Sequence, residues 1–139
     1  MSEINKKKYV IVVDSDLSSG LAANTAAVLS STVGHLVEGI IGRNLRDRSG
    51  DLHLGITTIP IAVLRADGER IRHIRAKAAE SDHLMLVDFS DVAQACKHYD
   101  DYVEKLAATS EEDLKYLGIA LYGDSKKVKK LTGNLSLMR

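Results

Sequence analysis

With 139 residues, 45% of them hydrophobic, and one cysteine, Cys96, the chain has the length of a single domain over residues 1–139, able to bury about two-thirds of its unfolded surface without a staple. A lone thiol excludes an internal disulfide, no apolar run nears the roughly 20 residues that span a bilayer, and the first eight residues hold no apolar core of signal type, so a soluble cytoplasmic protein without a membrane partner is expected. The formal net charge of zero hides an asymmetry: residues 78–113 hold ten acidic and two basic side chains, the remainder seventeen basic and nine acidic, which reads either as a basic face for phosphates or as solvated helix faces.

Taken in order, the first and organising stretch is KYVIVVDSDLSSGLAANTAA, Lys8 to Ala27. Tyr9–Val13 is a continuous apolar, largely β-branched run, the pattern of a strand covered on both faces. Asp14, Asp16, Ser18, Ser19 and Gly20 then form a polar turn of cap and turn residues. Apolar residues return at helical spacing, with Leu17, Leu21, Thr25, Val28 and Thr32 on one side and Ala22, Leu29 and Val33 beside them. Ligands of open α/β sheets collect outside the carboxyl ends of the strands, so Asp14–Gly20 stands where a site is expected.

The next segment is punctuated by Gly34, Gly39, Gly42 and Gly50 and carries Arg43, Arg46 and Arg48. It reads as a long irregular connection with a short strand around Leu36–Ile41, and long loops in compact domains are often functional. A strand follows at about Ile59–Arg65, with Pro60, which cannot donate to a ladder, at its start or on an edge. Asp67-Gly68 turns into a helix at about Glu69–Ser81 with the stripe Ile71, Ile74 and Ala78. Leu84–Phe89 is another buried strand. Ser90-Asp91 caps a third helix running to about Ala108, its buried stripe being Val92, Cys96, Tyr99, Val103 and Leu106. An acidic loop leads to a strand at Tyr116–Leu121, then a short lysine-rich helix ended by Gly133 as a C-cap, and a tail, Leu135–Met138, able to dock as an extra strand. The alternation predicts a three-layer α/β/α sandwich with a mostly parallel or mixed sheet of four or five strands.

Each chemical candidate has a structural reading beside it. Asp14 and Asp16 are suited to binding a divalent cation or acting as a general base, or one of them caps the first helix. Ser18, Ser19 and Gly20 present backbone N–H groups to an anion, or simply cap the helix; the spacing is not that of a phosphate loop. Cys96, on the apolar stripe, reads as an inert core thiol. Histidines 35, 53, 73, 83 and 98 lack metal spacing, and His53 is the one placed for a site. Asn24, early in the first helix, joins Asp14, Asp16, Ser18, Ser19, Gly20 and His53 in the candidate ligand-binding set. Arg65, Arg70, Arg72, Arg75 and Lys77, with Lys126, Lys127, Lys129 and Lys130, read as a phosphate-backbone surface or as solvated helix faces, and with one Phe, five Tyr and no Trp base stacking on RNA is poorly provided for.

Two segments resemble a known family. DLSSG (Asp16–Gly20) with its alanine-rich helix, directly after KYVIVV, resembles the opening of the type II peptidyl-tRNA hydrolases. LGIALYGDSKKVKKLTGNLSLM (Leu117–Met138) is similar to their closing strand, helix and tail. The chain is also similar to an uncharacterised bacterial "domain of unknown function" branch of that superfamily. The resemblance implies a peptidyl-tRNA hydrolase II-like domain and a hydrolase of an ester or amide, such as an aminoacyl- or peptidyl-RNA. The family carries lysines after the turn glycine where this chain has Leu21, Ala22 and Ala23; its glutamine falls at Ala27, and its acidic-Ala-Gly-Arg-Thr segment at Ala108–Asp113. Asp16 and Gly20 therefore carry over as structural positions, without a catalytic residue. The alternative is a non-catalytic module on the same fold, binding a small ligand or partner. A homo-oligomer is expected, a homodimer first, with no cofactor and no metal.

Overall fold

In the computed structural model the described residues are 6–139. The elements are β1 (Lys7–Asp14), α1 (Ser19–Leu36), β2 (Leu45–Arg46), β3 (Leu52–His53), β4 (Ile61–Ala66), α2 (Gly68–Ala79), β5 (Leu84–Ser90), α3 (Asp91–Ala95), α4 (Tyr99–Ala107), a 3-10 turn (Glu111–Asp113), β6 (Tyr116–Asp124), α5 (Ser125–Thr132) and β7 (Ser136–Leu137). Five strands form one mixed sheet in the order β5-β6-β1-β4-β7, with helices on both faces, the three-layer arrangement that the alternation predicts.

β1 is central because every residue from Tyr9 to Val13 is buried. Alternate side chains serve opposite faces. Tyr9, Ile11 and Val13 meet Ala22, Leu29 and Val33 of α1 together with Phe89, Leu117 and Ala120. Val10 and Val12 meet Ile71, Ile74 and Ala78 of α2, Val128 of α5, and Tyr116, Ile119 and Leu121. β1 runs parallel to β4, with Tyr9 opposite Ile61, and antiparallel to β6, with Val10 opposite Leu121. β6 is also antiparallel to β5. Hence β1, β4 and β5 all point the same way, and their carboxyl ends share one rim with the first residue of β6.

Several predicted details change. The core row of α1 is Ala22, Thr25, Leu29 and Val33, while Leu21 and Val28 are 39% exposed; the two rows are adjacent on the helix, and contact with the sheet selects one of them. Leu36 ends α1 instead of beginning a strand, and Ile41 makes only an isolated bridge to Thr57. The third helix is broken: α3 stops at Ala95, Cys96 is its C-cap, α4 begins at Tyr99, and α4 has no buried residue. The physical reason is that β5 is an edge strand, so a long apolar stripe after it has no sheet to lie on, and Tyr99, Val103 and Leu106 remain exposed. Pro60 immediately precedes β4, and the tail pairs on β4 as β7, with Leu64 opposite Leu137. Gly133 is the C-cap of α5 but keeps a right-handed φ of −64°. Among the described residues no helix is long and apolar enough to cross a membrane.

Candidate functional site

Three helix N-termini open onto the rim formed by the ends of β1, β4 and β5. Ser18 caps α1 by accepting from the Leu21 amide, Asp67 caps α2 by accepting from the Arg70 amide at 2.8 Å, and Ser90 caps α3 by accepting from the Ala93 amide at 3.5 Å. The Ser15 amide donates to the Ala66 carbonyl at 2.9 Å, tying the exit of β1 to that of β4. The Asp91 amide donates to the Lys115 carbonyl at 2.9 Å, and the Lys115 amide donates back to Asp91 Oδ1 at 3.1 Å. This reciprocal pair locks the entrance of β6 beside the start of α3.

Asp14 closes β1 with a side chain only 2% exposed. Its Oδ1 accepts the Asp16 amide at 3.0 Å, and its Oδ2 lies 4.0 Å from Nζ of Lys115, a side chain 61% exposed. A buried carboxylate is costly unless a cation or donors face it. Lys115 supplies that charge from the start of β6. The chain thus places a cation at the end of β1 although none follows Gly20.

Lys115 also lines a cavity of about 450 Å³ with Gly68, Arg72, Leu114 and Tyr116 and three carboxylates, Asp67, Glu69 and Glu112. Tyr116 forms its ordered floor. The Arg72 and Arg75 guanidinium carbons stand 5.0 and 4.7 Å from the Tyr116 ring centroid, within cation–π range. The Tyr116 hydroxyl donates to Glu111 Oε2 at 2.7 Å, and Arg72 Nη1 donates to the same oxygen at 2.8 Å. Arg72 also donates to the Leu114 carbonyl, and Arg75 Nε donates to Asp88 Oδ2 at 2.9 Å. Burial, then the Glu111 hydrogen bond, push the phenol up to about 12, so it remains a hydrogen-bond donor at neutral pH. The Tyr116 hydrogen bond in turn holds the Glu111 carboxyl below its usual range, helped by Arg72 and Arg75.

The candidate ligand-binding set divides between the two ends of the molecule. Asp14, Asp16, Ser18, Ser19, Gly20 and Asn24 all lie at the rim. Ser18, not an aspartate, caps α1, because it is the residue immediately before the first helical turn; Asp14 instead braces the turn through the Asp16 amide. Asp16, Ser19 and Gly20 are exposed, and a Cβ on Gly20 would meet nothing within 4 Å. Asn24 Nδ2 donates to Gln94 Oε1 at 3.2 Å, joining α1 to α3. His53 does not join them. It lies on β3, in the connection between the C-terminus of α1 and the N-terminus of β4, at the opposite end of the sheet, where its Nε2 is 2.8 Å from Asp47 Oδ2. That hydrogen bond is the first cause of the lowered Asp47 pKa.

The remaining candidates are distributed as follows. Cys96 is half-buried, not core, and lines a second cavity of about 370 Å³ with Val28, Phe89, His98 and Tyr102. Arg70 donates to Asn134, and Arg72 and Arg75 are committed to Glu111 and Asp88, leaving fewer free cations on α2 than the sequence implies. No group of three metal-ligating side chains comes together among the described residues. Lys115, Asp91, Gln94 and Tyr116 were missed; the available signal was that Lys115 directly precedes a buried apolar run, but which rim that run starts from is not written locally.

A family model described as "Protein of unknown function (DUF2000)" matches residues 7–139. A solved structure of a protein of unknown function from Agrobacterium tumefaciens is similar to this chain with a TM-score of 0.87 and 26% identity, over 96% of this chain and 98% of that one. No curated protein matches the sequence.

Proposed function

Since the chain belongs to the DUF2000 family, whose function is unknown, we propose from its rim geometry that it is a hydrolase of a small ester or amide, acting as one domain over residues 1–139. The observation that carries this reading is the Asp14–Lys115 pair, 4.0 Å apart at the carboxyl end of the central strand. Hydrolysis needs a base for water and a positive group where the oxyanion forms. Asp14 takes a proton from water as the water oxygen attacks the carbonyl carbon. Lys115 meets the developing oxyanion from the cavity side. The carbon–heteroatom bond then breaks, and the leaving group takes the proton from Asp14. The resemblance at Asp16–Gly20 and Leu117–Met138 bears on substrate class and makes an aminoacyl- or peptidyl-RNA ester the first substrate to try.

The test is release of acid from a panel of esters, amides and peptidyl-tRNA by the wild-type protein, Lys115→Ala and Asp14→Asn. Expected are turnover by the wild type and a loss of about 100-fold in either variant, the scale of one oxyanion donor or one acid–base group. A folded wild type that releases nothing above background refutes the reading.

One observation favours the non-catalytic alternative: Asp14 Oδ1 already holds the Asp16 amide, and the side chain is nearly sealed. In that case Lys115 anchors a small anion in the 450 Å³ cavity and no bond is cut. A melting shift of several degrees with a carboxylate or phosphate ester, lost in Lys115→Ala and unaccompanied by turnover, would replace the first reading with this one.

A further inference from the structure

The segment between α1 and β4 projects as a two-stranded arm. It is rooted by buried Ile40 and held by Gly42 N–H donating to the Ile56 carbonyl at 2.8 Å, Thr58 N–H to the Ile40 carbonyl at 2.7 Å, Gly55 N–H to Asn44 Oδ1 at 2.9 Å, and the β2–β3 pairing of Leu45 with His53. A Cβ on Gly55 would fall 1.8 Å from the Gly42 carbonyl oxygen, so the two strands touch backbone to backbone. Ile41, Leu45, Leu52, Leu54 and Ile56 are between 49% and 79% exposed. A two-stranded ribbon is marginal by itself in water, and one this apolar needs cover.

The same chain carries a second uncovered surface of matching character. On α4, Tyr99, Val103 and Leu106 fall three and four residues apart on one stripe and are between 36% and 77% exposed. Around them stand Asp100, Asp101 and Glu104, whereas the arm carries Arg43, Arg46 and Arg48. Among the described residues, none of these six charges has an ion-pair partner. Asp47 accepts from the Ser49 and Asp51 amides and pairs with His53, and three arginines against Asp47 and Asp51 leave the arm one formal charge positive. One patch is apolar and basic, the other apolar and acidic.

We propose that a second copy of this chain covers both: the arm of each protomer lies on α4 of its partner, about a two-fold axis, forming two identical contacts. The pairing of Arg46 with Leu52 and of Leu45 with His53 sets Leu52, Leu54 and Ile56 on one face of the arm beside Arg46, with Ile41 and Leu45 on the other, and the three-residue face is the one laid on α4. Two such contacts, each closing an arm face against α4, are what it takes to clear the roughly 1,000 Å² that a specific interface needs. The opposite charges set register and orientation, and the arrangement closes on itself, as a symmetric dimer must. The charge asymmetry between residues 78–113 and the rest of the chain thereby acquires a use at the α4 contact.

Charge reversal tests this by light scattering. The wild-type chain should have the mass of a dimer, with an affinity that falls as salt is raised. Arg43→Glu/Arg46→Glu/Arg48→Glu alone should be monomeric, because its arm and helix are then both acidic. Asp100→Lys/Asp101→Lys/Glu104→Lys alone should be monomeric for the converse reason. Mixed in equal amounts, the two should form a heterodimer, since each arm then faces a helix of opposite sign. Circular dichroism and melting establish that each variant is folded; if a reversal unfolds the chain, Leu54→Ser/Ile56→Ser, on the exposed arm, should also dissociate the dimer. A wild-type monomer at the highest soluble concentration, a dimer that survives both reversals, or folded variants that do not associate on mixing would each overturn the proposal.

Discussion

Gly118 is the third residue of β6, under α1, and replacing it with alanine is the sharpest test of how the rim is held. A Cβ there would stand 2.6 Å from Thr25 Cγ2, 3.0 Å from the Val12 carbonyl oxygen and 3.2 Å from Leu29 Cδ1. The carbonyl belongs to the central strand and cannot retreat. Thr25 is fully buried, and its hydroxyl donates to the Leu21 carbonyl at 2.8 Å, which fixes its rotamer. The helix itself must therefore rise, carrying Ser18–Asn24 with it. Overpacking of this kind costs about 1–3 kcal/mol, and the loss of unfolded-state freedom on replacing glycine returns about 0.4–1 kcal/mol. The net is a destabilisation on the order of 1–2 kcal/mol, or a melting point lower by roughly 3–6 °C for a chain of this size. Gly20→Ala is the control, because its Cβ meets nothing within 4 Å and it lies in the first turn of α1; there alanine should be neutral or stabilising by up to about 1 kcal/mol. Parallel urea and thermal unfolding measure both. A Gly118→Ala protein as stable as the wild type, with an unchanged urea slope, would refute the account of a close helix–strand contact.

Leu29→Ala, which empties space beside the same glycine, should cost about 2–5 kcal/mol, and a urea midpoint within error of the wild type would contradict the packing described. Tyr116 should ionise near pH 12 instead of pH 10 when followed by phenolate absorbance. Because its folded pKa is the raised one, its contribution to stability is complete below the unfolded value near 10 and is lost as pH rises through about 12; an ordinary titration in the native protein would exclude the Tyr116–Glu111 hydrogen bond. Tyr116→Phe should lower stability by about 0.5–1.5 kcal/mol, the net worth of that bond, as read from the urea midpoint. Cys96 should react with an aromatic disulfide in the native state, more slowly than in denaturant, because it is half-buried at the edge of an open cavity; complete protection would return it to the core.

The regular elements were legible where one local period dominates. Ile71, Ile74 and Ala78 form the buried row of α2 as their spacing predicts, and Tyr9–Val13 is buried on both faces as an uninterrupted apolar run should be. The reading failed where period was sound but support was missing. Val92, Cys96, Tyr99, Val103 and Leu106 repeat at helical spacing, yet a period says only that residues share a face, not that anything lies beneath it. The arm escaped for the opposite reason: a ribbon of two-residue strands has too few residues to show an alternation. Of the candidate site, Asp14 and the turn after it were legible as polar residues interrupting a strand, whereas Lys115 was not, because nothing near it in the chain marks it as the neighbour of Asp14.

By itself the sequence determined the central strand, the buried row of α2 and the polarity of the turn that follows β1, because these depend on residues a few positions apart. Only the tertiary structure decided that β6 runs antiparallel to β1, that Lys115 consequently faces Asp14, and that His53 ends at the far side of the sheet. Strand direction and pairing are set by how the two faces of the whole sheet are covered, a condition that no single segment carries.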